Sequence, residues 1–384
     1  MKSVASSLSS CSGCGQCQSA CPVFRLTGVE SDGPRGKISV IRAVADGDLT
    51  MEEAAAALSR CVLCGACSRA CPAGVPATRA FEEARGRLKP GREKTGSIIF
   101  SFLAARPRLW NLVQNPLFQF RRAREYLPPF LARFSVPARE RFAPRVPEIR
   151  EGEKRVLLWG GCLASRQLPS ILEACEAVIT KAGFAVVAPD DLPCCGRPRL
   201  LAGKEKAARE LARESLKLLA KQKFDFLVSP CAGCANAIKN TWPRLVAADE
   251  ERKEPAENLA SRAFHIDDFA AKFLGSPAIP DQVAVHKSCL SARGGREPDC
   301  CGACAPDKKL GRALGLACRD NLRATGKTAF ATSCPACILA LGEIMREKYD
   351  GAAPVHFVEL LAAGLASSPE TGIEKKSSGG SPED

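Results

Sequence analysis

Two stretches, Cys11-Ser-Gly-Cys14-Gly-Gln-Cys17-Gln-Ser-Ala-Cys21-Pro22 and Cys61-Val-Leu-Cys64-Gly-Ala-Cys67-Ser-Arg-Ala-Cys71-Pro72, repeat one cysteine spacing and the proline that follows it. In bacterial [4Fe-4S] runs of this spacing, three close thiolates wrap three irons of one cube and the fourth cysteine ligates the other cube. The pattern therefore assigns Cys11, Cys14, Cys17 and Cys71 to one cluster, and Cys61, Cys64, Cys67 and Cys21 to a second. Thiolates suit zinc as well. A structural zinc site, however, closes with four ligands in a pair-loop-pair arrangement, not with three at short intervals and a proline-flanked fourth. Gly13, Gly15, Gly65 and Ala66 between the ligands let backbone amides approach a cluster; they serve equally as turn formers.

Between the two runs lies a stretch that reads as helical, Ile38 to Ser59, with alanines at Ala54 to Ala57. Small two-cluster ferredoxins join their runs with short strands, so a long helical separation predicts an all-helical two-cluster ferredoxin module over residues 1–88.

Outside this module the chain of 384 residues has room for further domains with cores of their own. It contains 21 cysteines, and they are clustered: none falls between Ala73 and Gly161. Met1 to Ser10 has one lysine and no apolar core of the kind a signal peptide needs. The thiols are expected in a reducing, cytoplasmic setting, where paired spacings signify metal or redox chemistry instead of a disulfide framework.

The net charge of +13 is concentrated. Residues 84–147 carry fourteen Arg or Lys against three Glu, interleaved with aromatics such as Phe100, Trp110, Phe118 and Phe134. Residues 89–153 are expected to form a basic, aromatic helical linker. Its longest apolar run, Ile98 to Ala105, is far short of the ~20 residues a membrane span needs. The segment 98–134 suits a helix lying in a membrane surface, facing lipid phosphates and the quinone pool, on the inner side of the cell membrane. A partner-facing or interdomain helical pair accounts for it equally. Nucleic acid is not expected, because no recognition fold accompanies the arginines.

From Lys154 strand, turn and helix alternate, which predicts parallel α/β architecture. Arg155 to Leu158 runs into Cys162, Leu168 to Gly183 is helical, Phe184 to Ala188 and Phe224 to Ser229 are strands, and Lys204 to Lys221 is a charged helix. Val283 to His286 running into Cys289, a helix over Lys308 to Thr325 and a strand over Thr328 to Thr332 repeat these landmarks in order, the mark of an internal duplication. The predicted boundaries are 154–280 and 281–366, with 367–384 a disordered tail.

Ten further cysteines form two matched sets. The first is Cys162, Cys194-Cys195-Gly196, Cys231 and Cys234; the second is Cys289, Cys300-Cys301-Gly302, Cys334 and Cys337. Vicinal cysteines are also consistent with a redox disulfide, and the Cys-x-x-Cys pairs with zinc. Cys175 and Cys318 sit inside helices and read as small buried apolar residues. His286, close before Cys289, is placed either to hydrogen-bond a cluster sulfur or to pack.

With these sets, with Gly33-Pro-Arg-Gly-Lys37-Ile38 and with Cys71-Pro-Ala-Gly-Val75, the chain resembles the CCG-domain iron–sulfur proteins. These include the iron–sulfur subunits of glycolate oxidase and anaerobic glycerol-3-phosphate dehydrogenase, the lactate-utilisation proteins and heterodisulfide reductase. The resemblance implies a fold of helical ferredoxin module, basic linker and two repeated α/β CCG domains. It also implies a further, non-cubane [4Fe-4S] cluster on Cys162, Cys194, Cys195, Cys231 and Cys234. The second set departs from the pattern, because Cys289 and Cys300 are too close for a helix and strand between them, and Cys304 stands where a glycine is usual. Its occupant stays open between a cubane, a smaller cluster and a non-cubane cluster with Cys304 replacing Cys289.

No Gly-x-Gly-x-x-Gly fingerprint follows a strand and no flavin site is recognisable, so the donor of electrons belongs to another subunit. The resemblance implies an electron-transfer subunit that accepts electrons from a flavin-containing dehydrogenase of glycolate or D-lactate and passes them toward quinone. The alternative is disulfide reduction at the CCG site itself. No catalytic residue is assigned.

Overall fold

The computed structural model describes residues 1–88, 152–189, 192–275, 279–291, 299–346 and 353–367. The basic segment 98–134, nearly all of the expected linker and the expected tail lie outside these residues.

All the regular elements of residues 1–88 are helices, joined by the loops that carry most of the cysteines. The Pro34–Asp46 helix starts on a proline whose fixed φ suits a first turn and stops at Gly47, which takes φ +93°. The Met51–Ser59 helix is capped by Thr50, whose hydroxyl accepts from the Glu53 amide while the Glu53 carboxylate accepts from the Thr50 amide. The sequence therefore builds two helices where one helical stretch was expected. Their apolar faces close on Val4, Leu8, Ile41, Leu58, Phe81 and Ala84, all essentially inaccessible.

Two parallel sheets follow. The first has the order β2-β1-β3-β4, from β1 (Arg155–Leu158), β2 (Ala185–Val187), β3 (Phe226–Ser229) and β4 (Ala263–His265). The second has the order β5-β6-β7, from β5 (Val283–His286), β6 (Ala329–Thr332) and β7 (Val355–His356). Every pairing is parallel. Such strands need crossover helices, and the Pro169–Lys181, Glu205–Leu219 and Lys308–Arg323 helices fall where helical periodicity was read.

The two sheets do not stand apart. Phe357, Val358 and Leu361 of the Phe357–Ser367 helix, which follows β7, lie in the same buried cluster as Val156, Ile171, Val178 and Val228 of the first sheet. The ferredoxin module is joined just as closely to the second sheet, where Val23, Val62, Cys64 and Ala66 share a core with Cys300, Leu310 and Leu314.

Guanidinium groups brace these joints. Arg69 donates to Cys64 O and to Cys289 O, both at 3.1 Å. Arg85 gathers the carbonyls of Leu58, Ser59 and Cys61 while reaching Leu201 O at 3.2 Å. Arg244 pairs with Glu82.

Candidate metal centres

The four thiols assigned by spacing to the second cube are brought together. Cys21, Cys61, Cys64 and Cys67 line one small cavity, with Lys37 and Thr78. Cys21 reaches it because Pro22 starts the Pro22–Thr27 helix and turns the chain back toward the other run. Burial pushes the Cys67 thiol up to about 12, and Cys64 also rises well above the ordinary thiol value. Cys11, Cys14 and Cys71 are the thiols that surround Cys17. Cys71 thus lies near the Cys11 run and Cys21 near the Cys61 run. Cys14 is exposed, whereas Cys64 and Cys67 are buried.

Beyond Cys64 the cysteines continue. Cys289 and Cys300 of the second set are its electrostatic neighbours, and Cys289 is in turn surrounded by Cys300, Cys304 and Cys301. The sulfur of Cys301 lies 3.2 Å from that of Cys337. From there each thiol has the next as a close electrostatic neighbour: Cys337 with Cys334, Cys334 with Cys231, Cys231 with Cys234, Cys234 with Cys195, Cys195 with Cys194, and Cys194 with Cys162. Cys194 and Cys334 each accept from two neighbouring thiols, and this holds both well below the ordinary thiol value. Cys162, Cys195 and Cys337 are driven up, first by neighbouring thiols and then by burial. Cys175 and Cys318 stay in the apolar cores, as read from the sequence. Among the described residues, no three His, Cys, Asp or Glu side chains close on a point where a single ion would sit.

The backbone presents donors to these sulfurs in one recurring way. The amide two residues ahead reaches the sulfur at Cys61, where Leu63 N lies at 3.4 Å, and at Cys300, where Gly302 N lies at 3.4 Å. Ala66, Gly196, Arg197 and Ala336 do the same for Cys64, Cys194, Cys195 and Cys334. At the first CCG motif this takes Gly196 to φ +86°, and a Cβ there would stand 3.1 Å from Ala208 O; at the second, Gly302 at φ +78° would meet Gly311 O. The glycine of each motif is thus required twice over, by its left-handed backbone and by the helix pressed against it.

Three side-chain devices fix the loops, and sequence reading did not find two of them. All three histidines are buried. His286 bonds Thr332 Oγ1 and Asp299 O, both at 2.9 Å, so it ties the Cys334 and Cys300 segments together and touches no sulfur. His265 and His356 accept an amide at Nδ1, which leaves Nε2 protonated. That proton goes to Ser333 O at 2.9 Å from His265 and to Pro230 O at 2.9 Å from His356, next to Cys334 and Cys231. Trp242 donates to Cys195 O at 2.9 Å. It follows a π turn, Ala237–Thr241, which opens because Pro243 has no N–H to complete an ordinary α turn. The histidines were missed because each stands at the end of a two- or three-residue strand with little pattern of its own.

The chemistry of the donors fits iron–sulfur groups. Soft thiols stand in successive groups with, among the described residues, no three closing on a single point, and amides and side chains aim at them. The Trp159 Nε1 and Arg197 Nε protons are buried without an acceptor beside the first set. Such protons are costly unless something acceptor-rich stands there.

Known families agree. Residues 7–75 match the 4Fe-4S dicluster domain, and residues 156–239 match the cysteine-rich domain, CCG. The chain thus carries a 4Fe-4S dicluster domain followed by a cysteine-rich CCG domain.

Among curated relatives, Lactate utilization protein A 2 of Bacillus cereus (strain Q1) is 22% identical over 242 residues, spanning 55% of this chain and 99% of that protein. One of the subunits of Fumarate reductase (CoM/CoB) from Methanothermobacter marburgensis is 25% identical over 234 residues, 54% of this chain and 46% of that protein. A hypothetical protein from Helicobacter pylori, known from a crystal structure, shares the fold at TM-score 0.51 and 11% identity, over 88% of this chain and 68% of that one. No helix among the described residues is long and apolar enough to cross a membrane.

Proposed function

We propose that the chain is the iron–sulfur electron-transfer subunit of a multi-subunit oxidoreductase. In this reading Cys11, Cys14, Cys17 and Cys71 hold one [4Fe-4S] cluster and Cys61, Cys64, Cys67 and Cys21 hold another. Cys162, Cys194, Cys195, Cys231 and Cys234 hold a third, of non-cubane type. Cys289, Cys300, Cys301, Cys304, Cys334 and Cys337 supply a fourth site. The two sheets are then a duplicated CCG unit, with β1, β3 and β4 answering to β5, β6 and β7 and no counterpart of β2 in the second. The domains divide as 1–88, 89–153, 154–280 and 281–366.

The observation that carries the reading is the unbroken succession of thiol groups. It runs from the partly exposed Cys11 run through the buried Cys61 cavity to Cys289, Cys334 and Cys162. When bound, clusters at these positions carry electrons singly. The protein's part is to hold thiolates at fixed separations, to aim amides at sulfur and to keep water out by burial. Oxidation of a 2-hydroxy acid to a 2-oxo acid releases two electrons and two protons. A flavin-containing partner suits that two-electron step, and this chain would take the electrons one at a time toward quinone. The partner and the hydroxy acid are inferred from the lactate-utilisation relatives, and peripheral membrane attachment from the basic segment 98–134.

A second reading is favoured by one feature. Cys231 of the first set and Cys334 of the second meet sulfur to sulfur, so both sets face one place, as reduction of a disulfide would require.

Anaerobically purified protein should be brown and contain iron and acid-labile sulfide in comparable amounts. A colourless preparation without sulfide would overturn both readings. Cys21→Ser should remove the paramagnetic signal of the cluster on the Cys61 run and leave that of the Cys11 run, whereas the opposite loss would refute the crossed ligation. Hydroxy-acid-dependent dye reduction by the copurified flavoprotein complex supports the electron-transfer reading. A new paramagnetic signal when oxidised protein meets a thiol favours the second.

A further inference from the structure

Leu63 is the one non-glycine residue among those described with a positive φ, +51°. It occupies the place in the Cys61 run that Gly13, at φ +75°, takes in the Cys11 run. A leucine there is strained, yet its side chain is buried and its carbonyl is held by a buried hydrogen bond, 2.9 Å from Arg197 Nη2. Arg197 comes from the first sheet's unit, directly after Cys194-Cys195-Gly196, and starts the Arg197–Leu201 helix. The left-handed Gly196 turns the chain so that Arg197 points back across the joint.

The surroundings of this guanidinium are unusual. It is buried, its Nε has no acceptor, and among the described residues no carboxylate pairs with it. Cys304, Cys289 and Cys195 lie within its electrostatic reach. Its Cδ would stand 3.4 Å from a Cβ placed on Gly233, between Cys231 and Cys234. A guanidinium keeps its charge even when buried, and its charged or ionisable neighbours are Cys304, Cys289, Glu82 and Cys195. Glu82, the only carboxylate in that group, is itself paired with Arg244. One permanent cation therefore touches or faces the ferredoxin loop, the first cysteine set and the second.

We propose that Arg197 is an electrostatic positioning residue at the junction of the three cysteine groups, where its fixed charge favours the reduced state of the centre held by the two CCG sets. The inference rests on the electron-transfer reading given above. A buried cation without a carboxylate is retained at a cost unless negative charge stands beside it. Thiolate-ligated clusters supply that charge, and each added electron increases it. The same guanidinium fixes the strained Leu63 carbonyl, so the loop that holds Cys61 and Cys64 is oriented by the residue that sets the neighbouring potential. Lysine would keep the charge but not the planar, directed donor that holds Leu63 O.

The test compares full-length, anaerobically reconstituted wild type with Arg197→Gln, Arg197→Met and Arg197→Lys by iron and sulfide content and by potentiometric titration of the paramagnetic signals. The neutral variants should load wild-type iron and sulfide. Electron sharing between the Cys61-run cluster and the CCG centre should move at least tenfold toward the former, about 59 mV for one electron. Arg197→Lys should stay within about threefold of wild type. Fully loaded neutral variants with unchanged potentials would overturn the assignment. So would a lysine variant shifted as far as glutamine, or failure of the neutral variants to load at all, since each makes Arg197 only a structural brace. Wild-type protein without iron and sulfide would instead refute the underlying electron-transfer reading.

Discussion

Gly161 takes φ +67° just before Cys162, and a Cβ at this position would stand 2.8 Å from the sulfur of Cys234. Two independent penalties therefore fall on any side chain there, backbone strain and intrusion on a thiol. Gly161→Ala should lose the metal centre of the first CCG set while the two ferredoxin signals persist, seen as a partial loss of iron in otherwise folded protein. His356 offers a pH-dependent counterpart. Burial holds its imidazole below the ordinary value despite the nearby Asp267. A depressed folded pKa contributes stability above the unfolded value of ~6.5, and that contribution is lost as pH falls through the folded value. The denaturation midpoint should therefore fall between pH 7 and pH 5. His356→Gln, which keeps an N–H for Pro230 O and cannot titrate, should flatten that decline.

At the scale of elements, what could be read in advance follows the length of the pattern. The Glu205–Leu219 and Lys308–Arg323 helices are long enough to repeat their apolar stripes several times, and β1, β3, β5 and β6 each run toward a cysteine two to four residues beyond the strand. β4 and β7 are too short for any period, and only their pairing with β3 and β6 makes them strands. The eight ferredoxin cysteines were legible because their grouping depends on local spacing. The meeting of Cys231 with Cys334, and of Cys64 with Cys300, is decided by how whole units pack, and no local pattern encodes it. Thr50-x-x-Glu53 marks the start of the Met51–Ser59 helix, a local signal that reading Ile38 to Ser59 as one helical stretch passes over. Thr50→Ala should cost about 1 kcal/mol of stability to the ferredoxin module, measured by denaturant unfolding, with cluster signals unchanged.

On the scale of the molecule, the ferredoxin module is held to the α/β part through the loops that carry its thiols. Val62, Cys64 and Ala66 pack on Cys300, Leu310 and Leu314, and Arg69 links Cys64 O to Cys289 O. Metal and interface are therefore coupled. Removing iron with a chelator should raise amide hydrogen exchange at residues 61–67 and 300–314 together, while the Pro169–Lys181 helix stays protected. Uniform exchange across the chain, or none, would contradict this coupling. Cys175, fully buried in that protected core, should resist alkylation in both forms until the protein is unfolded.

The packing of the Phe357–Ser367 helix against the first sheet also has a consequence for synthesis. β1 leaves the ribosome some two hundred residues before Phe357, Val358 and Leu361, which complete its apolar layer. Until those three side chains arrive, Val156, Ile171 and Val178 face water, so a nascent chain stalled before residue 357 should be protease-sensitive and bound by chaperones. Closure of the first sheet is in this way a late event, reserved for chains whose translation has reached the far end of the second.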